Sequence, residues 1–347
     1  MDRLARGRAV ERCETRAARV LGWGRYTAAP MSDPTSPEPL PRSLPWSSAP
    51  ASPRSGLLTL RRDGESEPES PPSVEAEAEA ETESERAYRL HRRFDRMGRL
   101  VGDTSMRKLL GSHVMVIGIG GVGSWAAEAL ARAGVGRLSL VDFDLVCVTN
   151  ANRQLHAMRG TTGKPKVDVM AERLRAIHPG CEVEAVRSFY EAETSEALFE
   201  RGADLIIDAI DNLTAKAHLI ASCRAQGVPL VVSGGASGRM DPTQIRVGDL
   251  SEVEGDPFLA SLRKILRQKH ALPSGRGWGI PTVHSLETPM APIELGYDNG
   301  EGFRCVCPQG ENGKHTCDQR NLIYGTAGFV TGSFGLACAS VAVKSLV

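Results

Sequence analysis

Between His113 and Gln154 the chain reads HVMVIGIGGVGSWAAEALARAGVGRLSLVDFDLVCVTNANRQ, and this run limits what the rest can fold into. Val114 to Ile117 is a short apolar run that enters closely spaced glycines, Gly118, Gly120, Gly121 and Gly123. An alanine-rich amphipathic segment follows, then a second apolar run ending at Asp142. The order is strand, tight turn, helix, strand. Glycines at such a turn let the backbone approach a phosphate, and the helix start supplies N–H groups and the positive end of a dipole. Asp142, at the tip of the second strand, is placed to accept hydrogen bonds from ribose hydroxyls. The ligand these features fit is an adenine nucleotide.

The turn alone does not separate nucleotide chemistries, because GxGxxG serves NAD and FAD enzymes too. The residues beyond it narrow the choice. Asp144, Asn150, Asn152, Arg153 and Gln154 follow closely, and Lys166 comes after a further loop. Hydride transfer has no use for such a concentration of cations and amides. Cleavage of ATP between its α- and β-phosphates does, because negative charge builds on the phosphates as pyrophosphate leaves. An NAD-dependent oxidoreductase, or a nucleotide-binding module without catalysis, stands as the alternative from another class.

Further along, Lys166 to Ile177 is amphipathic, Cys181 to Val186 alternates as a strand, and Thr194 to Arg201 reads as a short helix. Asp204 to Ile210 is a buried strand, Asn212 to Gln226 a helix, and Pro229 to Ser233 a strand entering Gly234-Gly235. This alternation predicts an α/β fold, a Rossmann-like doubly wound and mostly parallel sheet covered on both faces. Ligands in such sheets lie at the strand C-termini, where Gly118, Asp142 and Asp211 all fall. From about Asp241 the pattern is less regular. Asp256 to His270 there reads as an amphipathic helix with Arg263, Lys264, Arg267, Lys269 and His270. It is either a grip on a nucleic-acid backbone or a solvated face.

Residues 1–86 belong to another regime. Pro30 to Pro53 is rich in Pro and Ser, and Glu75 to Glu85 alternates Glu with Ala or Thr, leaving almost nothing apolar to bury. Disorder or a solvated helix is expected there. Arg3, Arg6, Arg8, Arg12, Arg16 and Arg19 suggest a transit peptide or a nucleic-acid arm, but Glu11 and Glu14 interrupt them and no apolar signal core follows. A solvated tail, or a start codon placed too far upstream, is the simpler reading. The 42 basic and 42 acidic residues of the 347 exclude a protein that holds nucleic acid by net charge alone, so an RNA substrate would need a local basic patch. Eight cysteines without a framework pattern point to a reducing compartment, the cytoplasm.

GIGGVGS, DFD, NxNRQ, KPK and the later AIDN resemble the ThiF/MoeB superfamily of ubiquitin-activating-type adenylating enzymes. Within it the chain is similar to the branch that dehydrates N6-threonylcarbamoyladenosine in tRNA. That likeness rests on GIGGVGSWAAEALAR, VCVTNANRQ, KVDVMAERLRAIHP and GGASGRMDPTQIRVGDL. It runs from about Arg93 to the C-terminus and implies one adenylating domain over 87–347, extended from about 241. It implies that Gly121 contacts the nucleotide and Asp142 the ribose, that Asn150, Arg153 and Lys166 hold the triphosphate, and that Arg153 and Lys166 stabilise departing pyrophosphate. It implies Asp211 as the carboxylate serving Mg²⁺, with Asn212 beside it. It also implies a homodimer in which an arginine before the core, best matched by Arg96, reaches the partner subunit's ATP. A cysteine desulfurase or sulfur-acceptor system is a further partner the resemblance suggests, and activation of a ubiquitin-like sulfur carrier is the rival activity within the superfamily.

Two departures bear on that rival. The two CxxC zinc pairs of MoeB-like relatives are missing; Cys305, Cys307 and Cys317 near His315 form a poor tetrahedral template. The segment from about Gly277 to Glu287, where sulfur-activating relatives carry a mobile cysteine, has His284 and no cysteine. A lone histidine in a loop is either a base or a structural group. Finally, Tyr324 to Val343 is free of charge and long enough to span a membrane, but it is rich in Gly, Ala, Ser and Thr. A buried, tightly packed C-terminal helix, with a dimer interface as the suggested place, is the preferred reading, with membrane attachment the alternative.

Overall fold

The chain was studied as a computed structural model, which describes residues 92–293, 295 and 324–347. The leader 1–86 and the Cys305, Cys307, His315 and Cys317 group lie outside the described residues. In chain order the elements are α1 (Asp95–Val101), α2 (Asp103–Gly111), β1 (His113–Ile117), α3 (Gly123–Ala133), β2 (Arg137–Val141), α4 (Lys166–Ile177), β3 (Glu182–Val186) and α5 (Ala192–Phe199). Then come β4 (Leu205–Asp208), α6 (Leu213–Gln226), β5 (Leu230–Ser233), β6 (Ile245–Asp249), α7 (Pro257–Lys269), β7 (Pro281–Ser285) and α8 (Gly328–Leu346).

The strands form one sheet in the order β3-β2-β1-β4-β5-β7-β6. All neighbours are parallel except β6 and β7, which pair antiparallel. Period-two alternation divides β1 between two cores. Val114 and Val116 face one side with Leu130, Leu174 and Phe334, while Met115 and Ile117 face the other with Leu198, Leu219 and Leu262. The sheet is therefore covered on both faces, as the apolar strand runs predict. Strand order reverses at β1, whose neighbours are β2 on one side and β4 on the other, and the strand C-termini at such a reversal are where ligands of these sheets bind.

The region after Asp241 extends the sheet: β6 and β7 continue it, with β7 parallel to β5 and irregular stretches between the elements. Two readings change. His284 sits on β7, buried, with its Nε2 3.4 Å from where a side chain on Gly248 of β6 would begin. Burial lowers its pKa, so it is held neutral. On α7, Arg263 donates to the carbonyls of Val253 (2.6 Å) and Leu250 (3.3 Å), and the Arg267 guanidinium lies 5.4 Å over the Trp278 ring. Both cations tie the helix to its own protein, and Lys264 and Lys269 remain on the exposed face.

Helix α8 is, among the described residues, the one helix long and apolar enough to cross a membrane, and half of that span is buried in the protein. Val330, Phe334, Cys338 and Ala342, spaced by four, are fully buried. Glycines bring it against α3: a Cβ on Gly335 would lie 2.4 Å from the Val122 carbonyl, and one on Gly332 3.3 Å from the Trp125 ring. It is a core helix of this fold.

Candidate active site

The glycine turn lies at the reversal point, directly after β1. Gly118 has φ +90°, and a Cβ there would meet the Ala209 carbonyl oxygen at 2.7 Å; one on Gly123 would lie 1.8 Å from the Gly118 oxygen. These two glycines are required by close backbone approach, the first also by its left-handed conformation. Gly120 differs, since its nearest neighbour would be Gln154 Nε2 at 3.8 Å, and Gly121 lies against Arg153 Cγ and Thr331 of α8 at 3.3 Å. No side chain caps the start of α3, which leaves the positive end of its dipole at the turn.

Asp142 follows β2 and is buried. Its Oδ2 accepts from the Ile119 N–H (2.7 Å) and its Oδ1 from the Asp144 N–H (2.8 Å), so the carboxylate staples the glycine turn to the end of β2. Each oxygen has further lone-pair capacity for a hydroxyl. A bridge between Leu145 and Pro165, flanked by Val146 N–H to the Lys164 carbonyl, folds the KPK segment back onto DFD. Lys166 thereby arrives next to Asp144, its Nζ 2.6 Å from Oδ2, and is almost completely buried. Burial lowers the pKa of Lys166, but Asp142, Asp144 and Asp211 outweigh it and the net direction is up. Burial likewise pushes Asp142 up against the pull of Lys166. The site thus holds a permanent ammonium ringed by carboxylates.

The remaining candidates split into contacts and scaffolding. Arg153 lies over Gly121 and donates from Nη1 to the Thr149 carbonyl and Asn152 Oδ1, both at 2.9 Å. Asn152 donates to the Thr326 carbonyl (2.8 Å), which fixes the entry to α8 against the site. Asn150 is buried and its Oδ1 accepts from the Cys147 N–H (3.0 Å), capping a short 3₁₀ turn, Val148–Asn150. Asp211 is exposed, three residues beyond the end of β4, and its charge reaches Lys166. Asn212 N-caps α6 by accepting from Thr214 N–H and Ala215 N–H, each at 3.0 Å. Arg96 is exposed on α1, which is not at this site: the adjacent Phe94 packs on His178 and Gly134, at the opposite end of the strands.

Two features escaped the sequence reading. Asp208 and Lys216 form a fully buried ion pair beneath Asp211, Nζ to Oδ1 2.8 Å. His156 is fully buried with Nε2 2.9 Å from Gln154 Oε1; the accepting oxygen places the ring proton on Nε2 and turns the Gln154 amide nitrogen toward Gly120. Burial, with the Lys166 cation nearby, drops His156 from 6.5 to about 3. Because the unfolded chain takes up that proton near 6.5 and the folded one only near 3, its stability falls as pH drops through this window. The expected loss is about 2 kcal/mol between pH 6.5 and 5. Urea unfolding across pH 5 to 7.5 should show a shallower slope in His156→Gln than in the wild type.

A parallel sheet that reverses order at a glycine turn, with an unblocked helix N-terminus and a buried lysine at that point, defines a nucleotide-binding α/β protein of the Rossmann kind. Residues 94–347 match the ThiF family, and the chain belongs to it. It is 41% identical over 257 residues to the tRNA threonylcarbamoyladenosine dehydratase of Escherichia coli (strain K12), across 74% of this chain and 93% of that protein. The tRNA threonylcarbamoyladenosine dehydratase of Bacillus subtilis (strain 168) is 44% identical over 224 residues, across 63% of this chain and 86% of that one. A crystal structure of E. coli tRNA N6-threonylcarbamoyladenosine dehydratase in complex with ATP matches with a TM-score of 0.64 at 38% identity, covering 76% of this chain and 96% of that chain.

Proposed function

We propose that this protein is an ATP-dependent tRNA threonylcarbamoyladenosine dehydratase that works through an acyl-adenylate. The observation that carries the reading is the buried, carboxylate-ringed Lys166 beside the glycine turn, in a chain similar to E. coli tRNA threonylcarbamoyladenosine dehydratase across 93% of that protein. The threonylcarbamoyl carboxylate of the tRNA displaces pyrophosphate from the α-phosphate of ATP. A nucleophile within the same side chain then attacks the activated carbonyl, closes a ring and expels AMP, so the nucleoside has lost one water. Lys166 and Arg153 offset the charge that builds on the phosphates, the Gly118–Gly123 turn and the α3 N-terminus hold them, and Asp142 receives the ribose. Positioning and charge supply most of the catalysis.

No group of three or more His, Cys, Asp or Glu side chains among the described residues forms a cation cage. Mg²⁺ is usually held by one or two carboxylates together with the phosphates it accompanies, and exposed Asp211, whose charge reaches Lys166, suits that role. When bound there, the ion would neutralise phosphate charge. Exposed Arg96, remote from this chain's own turn, fits a homodimer in which it reaches the partner subunit's ATP. Cytoplasmic residence fits the free, buried thiols of Cys147, Cys181, Cys223 and Cys338. Burial pushes Cys181 to about 11 and Cys223 and Cys338 to about 12, so these thiols are unfit for a sulfur relay or a covalent thioester.

The test is AMP and pyrophosphate release from Mg-ATP with tRNA that does or does not carry the threonylcarbamoyl group. AMP formed only with the modified tRNA supports the reading. Pyrophosphate exchange with a Gly-Gly-ended carrier protein instead would move the protein to the sulfur-carrier branch.

A further inference from the structure

The loop that presents Asp211 is held by a device the reaction as described does not use. Strand β4 ends at Asp208 and α6 begins at Leu213, with Asp211 and Asn212 between them. Lys216 reaches back from α6 and donates to the carbonyls of Asp208 and Ile210, each at 3.1 Å, and to Asp208 Oδ1 at 2.8 Å. An ammonium has three donors, and all are spent inside one short segment. Asp208 Oδ1 also accepts from the Ile210 N–H (3.1 Å), Ala209 N–H donates to the Ile117 carbonyl (2.9 Å), and Gly118 packs on Ala209. The loop is thus tied at each backbone step to the strand ends and the glycine turn, while Asp211 itself faces outward.

Stability alone does not account for this pair. Both side chains are fully buried, and Asp208 Oδ2 is buried with no partner among the described residues, which is a standing cost. A buried ion pair is often replaceable by neutral groups of similar shape without loss of stability. A tether that fixes where the Asp211 carboxylate sits relative to Lys166 and the phosphates does need this geometry. We propose that Lys216, through Asp208, is a positioning residue that sets Asp211 for the adenylation step. The inference rests on the functional reading above.

The test uses the full chain with Mg-ATP and threonylcarbamoyl-modified tRNA. In the double variant Asp208→Asn/Lys216→Met both charges go and the side-chain sizes stay similar, so the protein is expected to fold, checked by circular dichroism. The expected result is a kcat lower by about 100-fold, the scale of a 1 Å misplacement, with KM for ATP within about threefold of wild type. In an Asp211→Asn background the same pair of changes should lower kcat by less than about threefold, because its effect passes through that carboxylate. A folded double variant with wild-type kcat, or a loss repeated in full without Asp211, overturns the proposal. If the double variant does not fold, Asp208→Asn alone, which removes the ion pair and leaves Lys216 its two carbonyl acceptors, replaces it: a kcat loss that vanishes in the Asp211→Asn background supports the proposal, and a wild-type kcat overturns it. A wild type that forms no AMP with this tRNA overturns the functional reading and this inference with it; an active wild type with an undiminished variant overturns the inference alone.

Discussion

Replacing Lys166 with methionine should lower kcat/KM for AMP formation by about 10²–10³-fold, the scale for removing one aimed charge from a water-poor site. The ammonium is nearly buried, lies 2.6 Å from Asp144 and is within electrostatic reach of Asp142 and Asp211. Without it, the carboxylates converge with no cation between them. Breaking a buried pair from one side leaves an uncompensated charge, so folding stability should drop too, by about 3 kcal/mol at neutral pH. The two effects separate by pH. In the wild type the folded lysine titrates above its ordinary 10.5, so its stabilisation is complete below that value and is lost as pH rises through the folded pKa. In the variant the deficit should shrink toward pH 5, because Asp142, already pushed upward by burial, can take a proton instead. Thermal melts from pH 5 to 8 beside initial rates check both; a variant with full turnover would remove Lys166 from the mechanism.

Gly123→Ala is expected to be the most damaging change in the turn. Its new methyl would lie 1.8 Å from the Gly118 carbonyl oxygen, a backbone atom that cannot rotate away. Relief requires prising α3 off the end of β1, which dismantles the phosphate-facing geometry. The expected cost is at least about 3 kcal/mol, or roughly 10 °C in Tm for a domain of this size, with ATP no longer raising the melting temperature. Gly118→Ala should follow closely, from its left-handed φ and the 2.7 Å contact with the Ala209 oxygen. Gly120→Ala is the internal control: 3.8 Å of clearance leaves the fold intact. Differential scanning fluorimetry with and without Mg-ATP ranks the three.

Most of the sheet was legible in the sequence because strands covered on both faces must be largely apolar, as Val114–Ile117 of β1 and Leu205–Ile207 of β4 are. Glycines at forced close approaches marked the turn for the same reason: no other residue fits. Strand β6 was not legible. Its edge position leaves Arg246 and Val247 exposed, so it lacks an apolar run, and α7 is inserted before its partner β7. His284 was read as a loop residue on that account. Lys216 was hidden by its charge, since a lysine in a helix is ordinarily solvated, and only the fold reveals that it points beneath the sheet's end. Arg263 and Arg267 were hidden in the opposite sense, looking like a basic surface while serving as ties. Asn150 and Asn212 show a further limit: an asparagine at a helix start looks the same in sequence whether it caps the helix, touches a ligand or does both.

The most direct test of the account is the mass of the modified nucleoside. Threonylcarbamoyl-modified tRNA would be incubated with the full chain and Mg-ATP, digested under mild conditions, and its nucleosides weighed. The account predicts a threonylcarbamoyladenosine product lighter by one water, formed only with ATP and in step with AMP. An unchanged nucleoside, whether or not ATP is cleaved, would contradict it.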